Sequence, residues 1–200
     1  MNKNESQYTE KLREMIAPLL KQAKDELART HQISPILAFL NPSGSGKMAI
    51  VPMPPHVAEM LNSGEGKDWI FDGVRKMVGD IGIKGVVFLT DAWIGKASIT
   101  GGALSRKRFE ELTKNMGTEQ MAAEGLITRV EAIMVSAQIP ERTLTYSQAY
   151  TRCADGSIKF DEAMEMECPT EEFEGRLKMF GDLSAEKLHR HRDSELGKKQ

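Results

Sequence analysis

Gly85-Val-Val-Phe-Leu-Thr-Asp-Ala-Trp93 and Thr128-Arg-Val-Glu-Ala-Ile-Met-Val135 are the two stretches whose reading decides the fold. Both are short, rich in β-branched and aromatic residues, and bounded by glycine or polar positions, which is the pattern of a buried strand. If they pair antiparallel, the C-terminal end of the first lies beside the start of the second. Asp91, Arg129 and Glu131 then gather at one end of an apolar sheet, where charge enters the expected core. That end is the first place to look for chemistry.

Upstream, Ile36-Leu-Ala-Phe-Leu40 and Met48-Ala-Ile-Val51 flank the Pro/Gly/Ser cluster Asn41-Pro-Ser-Gly-Ser-Gly-Lys47, which predicts a β-hairpin. Pro52, Pro54 and Pro55 stop its second strand. From about Glu5 to Thr30, Tyr8, Leu12, Ile16, Leu19, Ala23 and Leu27 recur at helical spacing between charged residues. Pro18 is expected to kink or split that helix. A second helical pattern over Lys67–Ile81 carries Trp69, Ile70, Val74, Met77, Val78 and Ile81, and Gly82 closes it.

Downstream, residues 94–126 are too long for a bare loop and read as an excursion from the sheet, with helical character over 105–116. Arg142–Arg152 predicts a fifth strand, and Ala154-Asp-Gly-Ser157 a tight turn, since Asp-Gly supplies the positive φ such turns need. A sixth strand follows with Ile158, Phe160, Met164 and Met166 on one face, and Glu162 breaks its alternation as a bulge or edge would. Pro169 and Thr170 are expected to open a short helix carrying Phe173, Leu177 and Phe180. The class is therefore α+β, an antiparallel sheet of five or six strands flanked by helices, in the order α-β-β-α-β-(insert)-β-β-β-α. Residues 1–183 form a single domain with an insert at about 95–126, and 184–200 are a charged tail expected to be disordered.

Composition narrows the function. With 40% hydrophobic and 28% charged residues the chain reads as an ordinary globular domain, and at this length it can bury a core without a staple. A net charge of −2 offers no overall basic field for nucleic acid. No run approaches the roughly 18 apolar residues of a membrane span, so a membrane role is not expected. The two cysteines, Cys153 and Cys168, read as reduced thiols of a cytoplasmic protein, with a disulfide across the last hairpin as the lesser reading. Two cysteines and four histidines without ligand spacing predict no metal site.

The motifs are sparse. Asn41–Met48 fails as a phosphate-binding loop, because Met48 stands where a magnesium-binding hydroxyl belongs and an apolar strand follows instead of a helix. Asp91, Arg129 and Glu131 read either as a cross-strand ion pair or as two carboxylates for a divalent cation with Arg129 for an anionic substrate. Lys96, Arg106 and Lys107, with Gly101-Gly102 between them, form a candidate anion site. Trp93 and Trp69 read as packing residues or as an aromatic wall for a partner. Neither a nucleophile-elbow motif nor a paired His/Cys arrangement is present, so triad hydrolysis is not supported.

The element order resembles that of the roadblock and profilin-like α+β architectures, which implies helices flanking an antiparallel sheet and transfers no function. Val87–Trp93 followed by Arg129–Val135 also resembles a pattern in uncharacterised bacterial and phage proteins. There a strand ends in acidic-Ala-Trp, a variable insert follows, and the next strand begins Arg-x-Glu. This chain departs from the pattern at Thr90, where serine is usual, and its insert lacks the common proline and histidine residues. The resemblance implies a prokaryotic or phage cytoplasmic setting.

Two functions are carried forward. One is a non-enzymatic interaction module, acting on a protein partner or by self-association through the sheet edge, Trp93 and the insert. Its methionine-rich last strand suits an adaptable surface. The other is a metal-dependent hydrolase or nuclease acting on a phosphate ester with Asp91 and Glu131. No cofactor is expected beyond a divalent cation under that second reading.

Overall fold

The computed structural model describes residues 3–40, 47–96, 116, 118–173 and 177–180. The expected helix over 105–116, the anion-site residues Arg106 and Lys107, and the tail 184–200 lie outside them or almost wholly so.

Helix α1 (Lys3–Thr30) is followed by strands β1 (Ile36–Leu40) and β2 (Met48–Pro52), helices α2 (Pro55–Met60) and α3 (Gly64–Ile81), and strand β3 (Gly85–Lys96). Helix α4 (Thr118–Ala123) then precedes β4 (Thr128–Gln138), β5 (Arg142–Arg152), β6 (Ile158–Phe160) and β7 (Met164–Pro169). The fold is α+β, with an antiparallel seven-stranded sheet in the order β2-β1-β3-β4-β5-β6, and β7 also pairs with β5. The expected pairing of the two apolar stretches holds: β3 runs antiparallel to β4 with Trp93 opposite Glu131 and Asp91 opposite Ile133.

Cross-strand partners share a face, so this register sorts the sheet into two cores. On one face α1 lays Leu12, Ile16, Leu19, Ala23 and Leu27 against Ile36, Val87, Leu89, Ile133, Val135 and Tyr146. On the other, Ile70, Phe71 and Val74 of α3 pack on Leu37, Phe39, Val86 and Phe88, with Phe71 edge-on to Phe88 at 5.2 Å. No helix among the described residues is long and apolar enough to cross a membrane.

Four local outcomes differ from the sequence reading. Pro18 does not split α1, which is continuous. Its ring is exposed, so the carbonyl it leaves without an N–H faces water rather than core. Helix α2 was not anticipated: Pro55 sits in its first turn, where a missing N–H costs nothing, so the prolines that end β2 also start a helix. After Pro169 the described residues make a turn instead of a helix. There the buried Thr170 hydroxyl bonds the Ile139 carbonyl at 2.8 Å and Thr143 Oγ1 at 3.0 Å, tying it to the sheet instead of capping a helix.

The fourth is the effect of the bulge expected at Glu162, which divides the expected sixth strand into β6 and β7. Tyr150 faces Phe160 while Ser147 faces Met164, so Asp161, Glu162 and Ala163 stand opposite only Gln148 and Ala149. The extra residue flips everything after it to the opposite face. Phe160 and Ile158 pack with the α1 core, whereas Met164 and Met166 point to the other side and are exposed. The expected common face for these four residues is thus corrected.

Candidate functional site

The charged end of the sheet is assembled by three strands. Asp91 and Trp93 on β3 and Arg129 and Glu131 on β4 all lie on the α1 face, as the β3–β4 register requires. The β4–β5 register places Tyr150 opposite Glu131 and brings Arg152 to the same end. Arg152, which the sequence reading did not select, is the partner of Glu131: Nε donates to Oε2 and Nη2 to Oε1, each at 2.8 Å. Its Nη1 donates to the carbonyl of His31, which ends α1 in a left-handed conformation with φ 59°. One guanidinium therefore joins the end of α1 to β4 and β5.

Arg129 takes a different course. It stands opposite Gly95, which offers no side chain, and its guanidinium lies over the Trp93 ring at 5.5 Å. Arg129 thus shares the face of the two acids but is not the ion-pair partner of Glu131.

The electrostatics follow from this arrangement. The Arg152 guanidinium holds the Glu131 carboxyl below the usual carboxylate range. Asp91, although accessible to solvent, is raised above it, first by desolvation and further by the neighbouring Glu131 charge. Burial, with Glu131 next in effect, pushes the Tyr150 hydroxyl up to about 12. Both Glu131 oxygens are engaged by a fixed cation, a donor set that suits a structural clamp. Among the described residues, no group of three or more His, Cys, Asp or Glu side chains could hold a metal ion.

The remaining candidates scatter. Lys96 ends β3. Trp93 and Trp69 are 59% and 65% exposed, and they lie on different elements, β3 and α3. Cys153 and Cys168 are free thiols, and burial raises Cys168.

A second locus lies at the outer strand. Thr170 N–H bonds the Glu141 carbonyl at 3.2 Å, which fixes the alternation along β7. The backbone groups of Met164, Met166 and Cys168 turn toward β5, and those of Glu165 and Glu167 turn outward. On the α1 face Glu165 is held by Arg13 at 2.9 Å and Glu167 by Arg142 at 3.6 Å. On the opposite face Met164 and Met166 are 62% and 64% exposed. Since either face could have held methionine, alternation alone did not reveal this; the bulge decides it.

Comparison with protein-family models, with curated proteins and with solved structures finds no match to this chain.

Proposed function

We propose that the chain is a non-enzymatic protein-interaction module that takes an extended segment of a partner protein along β7. The observation that carries this reading is the outer strand itself, with an outward row of backbone groups and two adjacent methionines left to solvent. An added strand would bond the Glu165 and Glu167 backbone and lay apolar side chains, at every second position, beside Met164 and Met166. Edge strands that avoid such pairing carry charged side chains, proline or a bulge. Strand β7 follows the bulge at Glu162 and carries Glu165 and Glu167, but both carboxylates are drawn to Arg13 and Arg142 on the α1 face, and its proline comes only at the final position. Methionine's unbranched, polarisable chain adapts to irregular partner surfaces, which further supports the reading.

The free thiols accord with a reducing setting, and we place the protein in a bacterial or phage-infected cytoplasm. The hydrolase or nuclease reading would require Glu131 to release Arg152 before it could serve a cation. The test is capture from bacterial extract with wild-type protein and with the Met164→Glu/Met166→Glu variant, then reconstitution from purified components. A stoichiometric complex that the variant fails to form supports the proposal. Equal complex formation by the variant, or none by the wild type, overturns it.

A further inference from the structure

The opposite edge of the sheet carries a different surface. Among the described residues, strand β2 is hydrogen-bonded only to β1 within the sheet, and its Ile50 and Val51 are 44% and 45% exposed. Met53 N–H bonds the Pro35 carbonyl at 3.0 Å, so the alternation along this pair leaves the backbone groups of Met48 and Ile50, and the carbonyl of Pro52, facing outward. Met48-Ala-Ile-Val-Pro52 has no charged residue.

We infer that β2 is a self-association edge, and that its occupant is β2 of a second copy of this chain, related by a two-fold axis at Ile50. Antiparallel pairing about that axis sets Ile50 against Ile50, Val51 against Ala49, and Met48 against Pro52. The two Ile50 residues exchange both backbone bonds, and each Met48 N–H meets a Pro52 carbonyl. Pro52 has no N–H to donate, so the ladder stops there and the register is fixed rather than free to slide. No like charges face each other across the junction, and apolar side chains are covered on both faces.

The same pairing on β7 is unfavourable. Centred on Met166, it would set Glu165 opposite Glu167 in both directions. The two edges thus call for different occupants: a second copy at β2 and a foreign segment at β7.

The surroundings of β2 agree with a like partner. Beside it, a groove of about 640 Å³ runs along the flank of α1, floored by Ile36 and Pro52. Its charged wall holds Lys21 and Arg29 together with Asp25 and Glu26. In the two-fold arrangement both copies of α1 stand on the same side of the joined sheet, so the two grooves meet as one trough. Its walls carry equal numbers of cations and anions, and the flanks approach without net repulsion. The symmetric closed pairing also uses up the exposed edge, which limits the assembly to two copies at this site.

The test is sedimentation velocity over a concentration series with the full chain. Wild type is expected to shift toward a species of twice the monomer mass as concentration rises, and Ile50→Lys to stay monomeric with an unchanged circular dichroism spectrum. A second measurement uses Cys153→Ser/Cys168→Ser protein carrying either Ile50→Cys or Val51→Cys. The predicted register links Ile50→Cys chains under mild oxidation faster than Val51→Cys chains. A wild-type monomer at every concentration, an Ile50→Lys dimer, or equal crosslinking at the two positions would each overturn the inference. The β7 variant Met164→Glu/Met166→Glu should dimerise normally, so this result is separable from the fate of the partner proposal.

Discussion

Arg152 on β5 and Glu131 on β4 lie side by side, with Nε to Oε2 and Nη2 to Oε1 both at 2.8 Å. The fork matches the carboxylate and the guanidinium also reaches the His31 carbonyl, so a single side chain spans two strands and a helix end. Arg152→Gln is expected to lower stability by about 1–2 kcal/mol, because it leaves Glu131 unpaired near Asp91. Glu131→Gln keeps an acceptor for the guanidinium and should cost about half as much. Urea unfolding of both variants checks the order, and a larger loss for Glu131→Gln would contradict it.

Asp91 and Glu131 should act oppositely on the pH dependence of stability. Glu131 is depressed in the folded state, so its contribution is present above its unfolded value and is lost as pH falls through its folded one. Asp91 is raised in the folded state. Its stabilising contribution is complete below its unfolded value and is lost as pH rises through its folded one, so ionised Asp91 is a net cost at neutral pH. Asp91→Asn should therefore be more stable than wild type at neutral pH, and its advantage should shrink as pH falls through the carboxylate range. Urea midpoints at neutral pH and at about pH 3 read this directly. A variant less stable than wild type at neutral pH would show that Asp91 is favourably engaged when charged.

His31 closes α1 in the left-handed region, with its N–H on the Leu27 carbonyl at 2.9 Å. Glycine adopts that conformation without the Cβ penalty, so His31→Gly is expected to raise stability by up to about 1 kcal/mol. Arg152 bonds the His31 main-chain carbonyl, so the clamp should survive. Thermal unfolding measures the shift; a lower midpoint would mean the imidazole makes a contribution of its own.

Two glycines of α3 should respond in opposite directions. A Cβ on Gly66 would run into the backbone of Met60, where α2 and α3 touch, and backbone cannot move aside as a flexible side-chain end can. Gly66→Ala is therefore expected to cost about 1–3 kcal/mol. A Cβ on Gly73 meets nothing within 4 Å, so Gly73→Ala should gain about 0.5–1 kcal/mol from helix propensity alone. Chemical denaturation of the two variants tests the contrast, which fails if both shift the same way.

The sequence made some of this legible because it is locally encoded. Gly85–Trp93 and Thr128–Val135 announce strands by composition, and their pairing brings Asp91 and Glu131 to one face. Asp155 and Gly156 announce the last turn, where Gly156 has φ 84° and Asp155 accepts from Ser157 N–H at 2.9 Å. Glu162 marks the bulge. What stayed hidden depends on position in space. Arg129 is close to Glu131 in sequence, but Gly95 leaves it free to lie on Trp93, while Arg152 arrives from a third strand. Thr170 looks like a helix cap until its hydroxyl is seen bonded into the sheet. Gln138 is likewise silent in the sequence. Buried, its amide accepts from Met179 N–H at 2.8 Å and donates to the Leu177 carbonyl, fastening the returning segment to β4. Pairing through side-chain amides leaves no periodic trace.

The central claim is that β7 meets a partner through its outward backbone and its two exposed methionines. Calorimetric titration of a purified captured partner into wild type and into Met164→Glu/Met166→Glu measures it most directly. Loss of two apolar contacts and insertion of two charges should weaken binding by roughly 100-fold or more. Equal affinity for the two proteins would contradict the account.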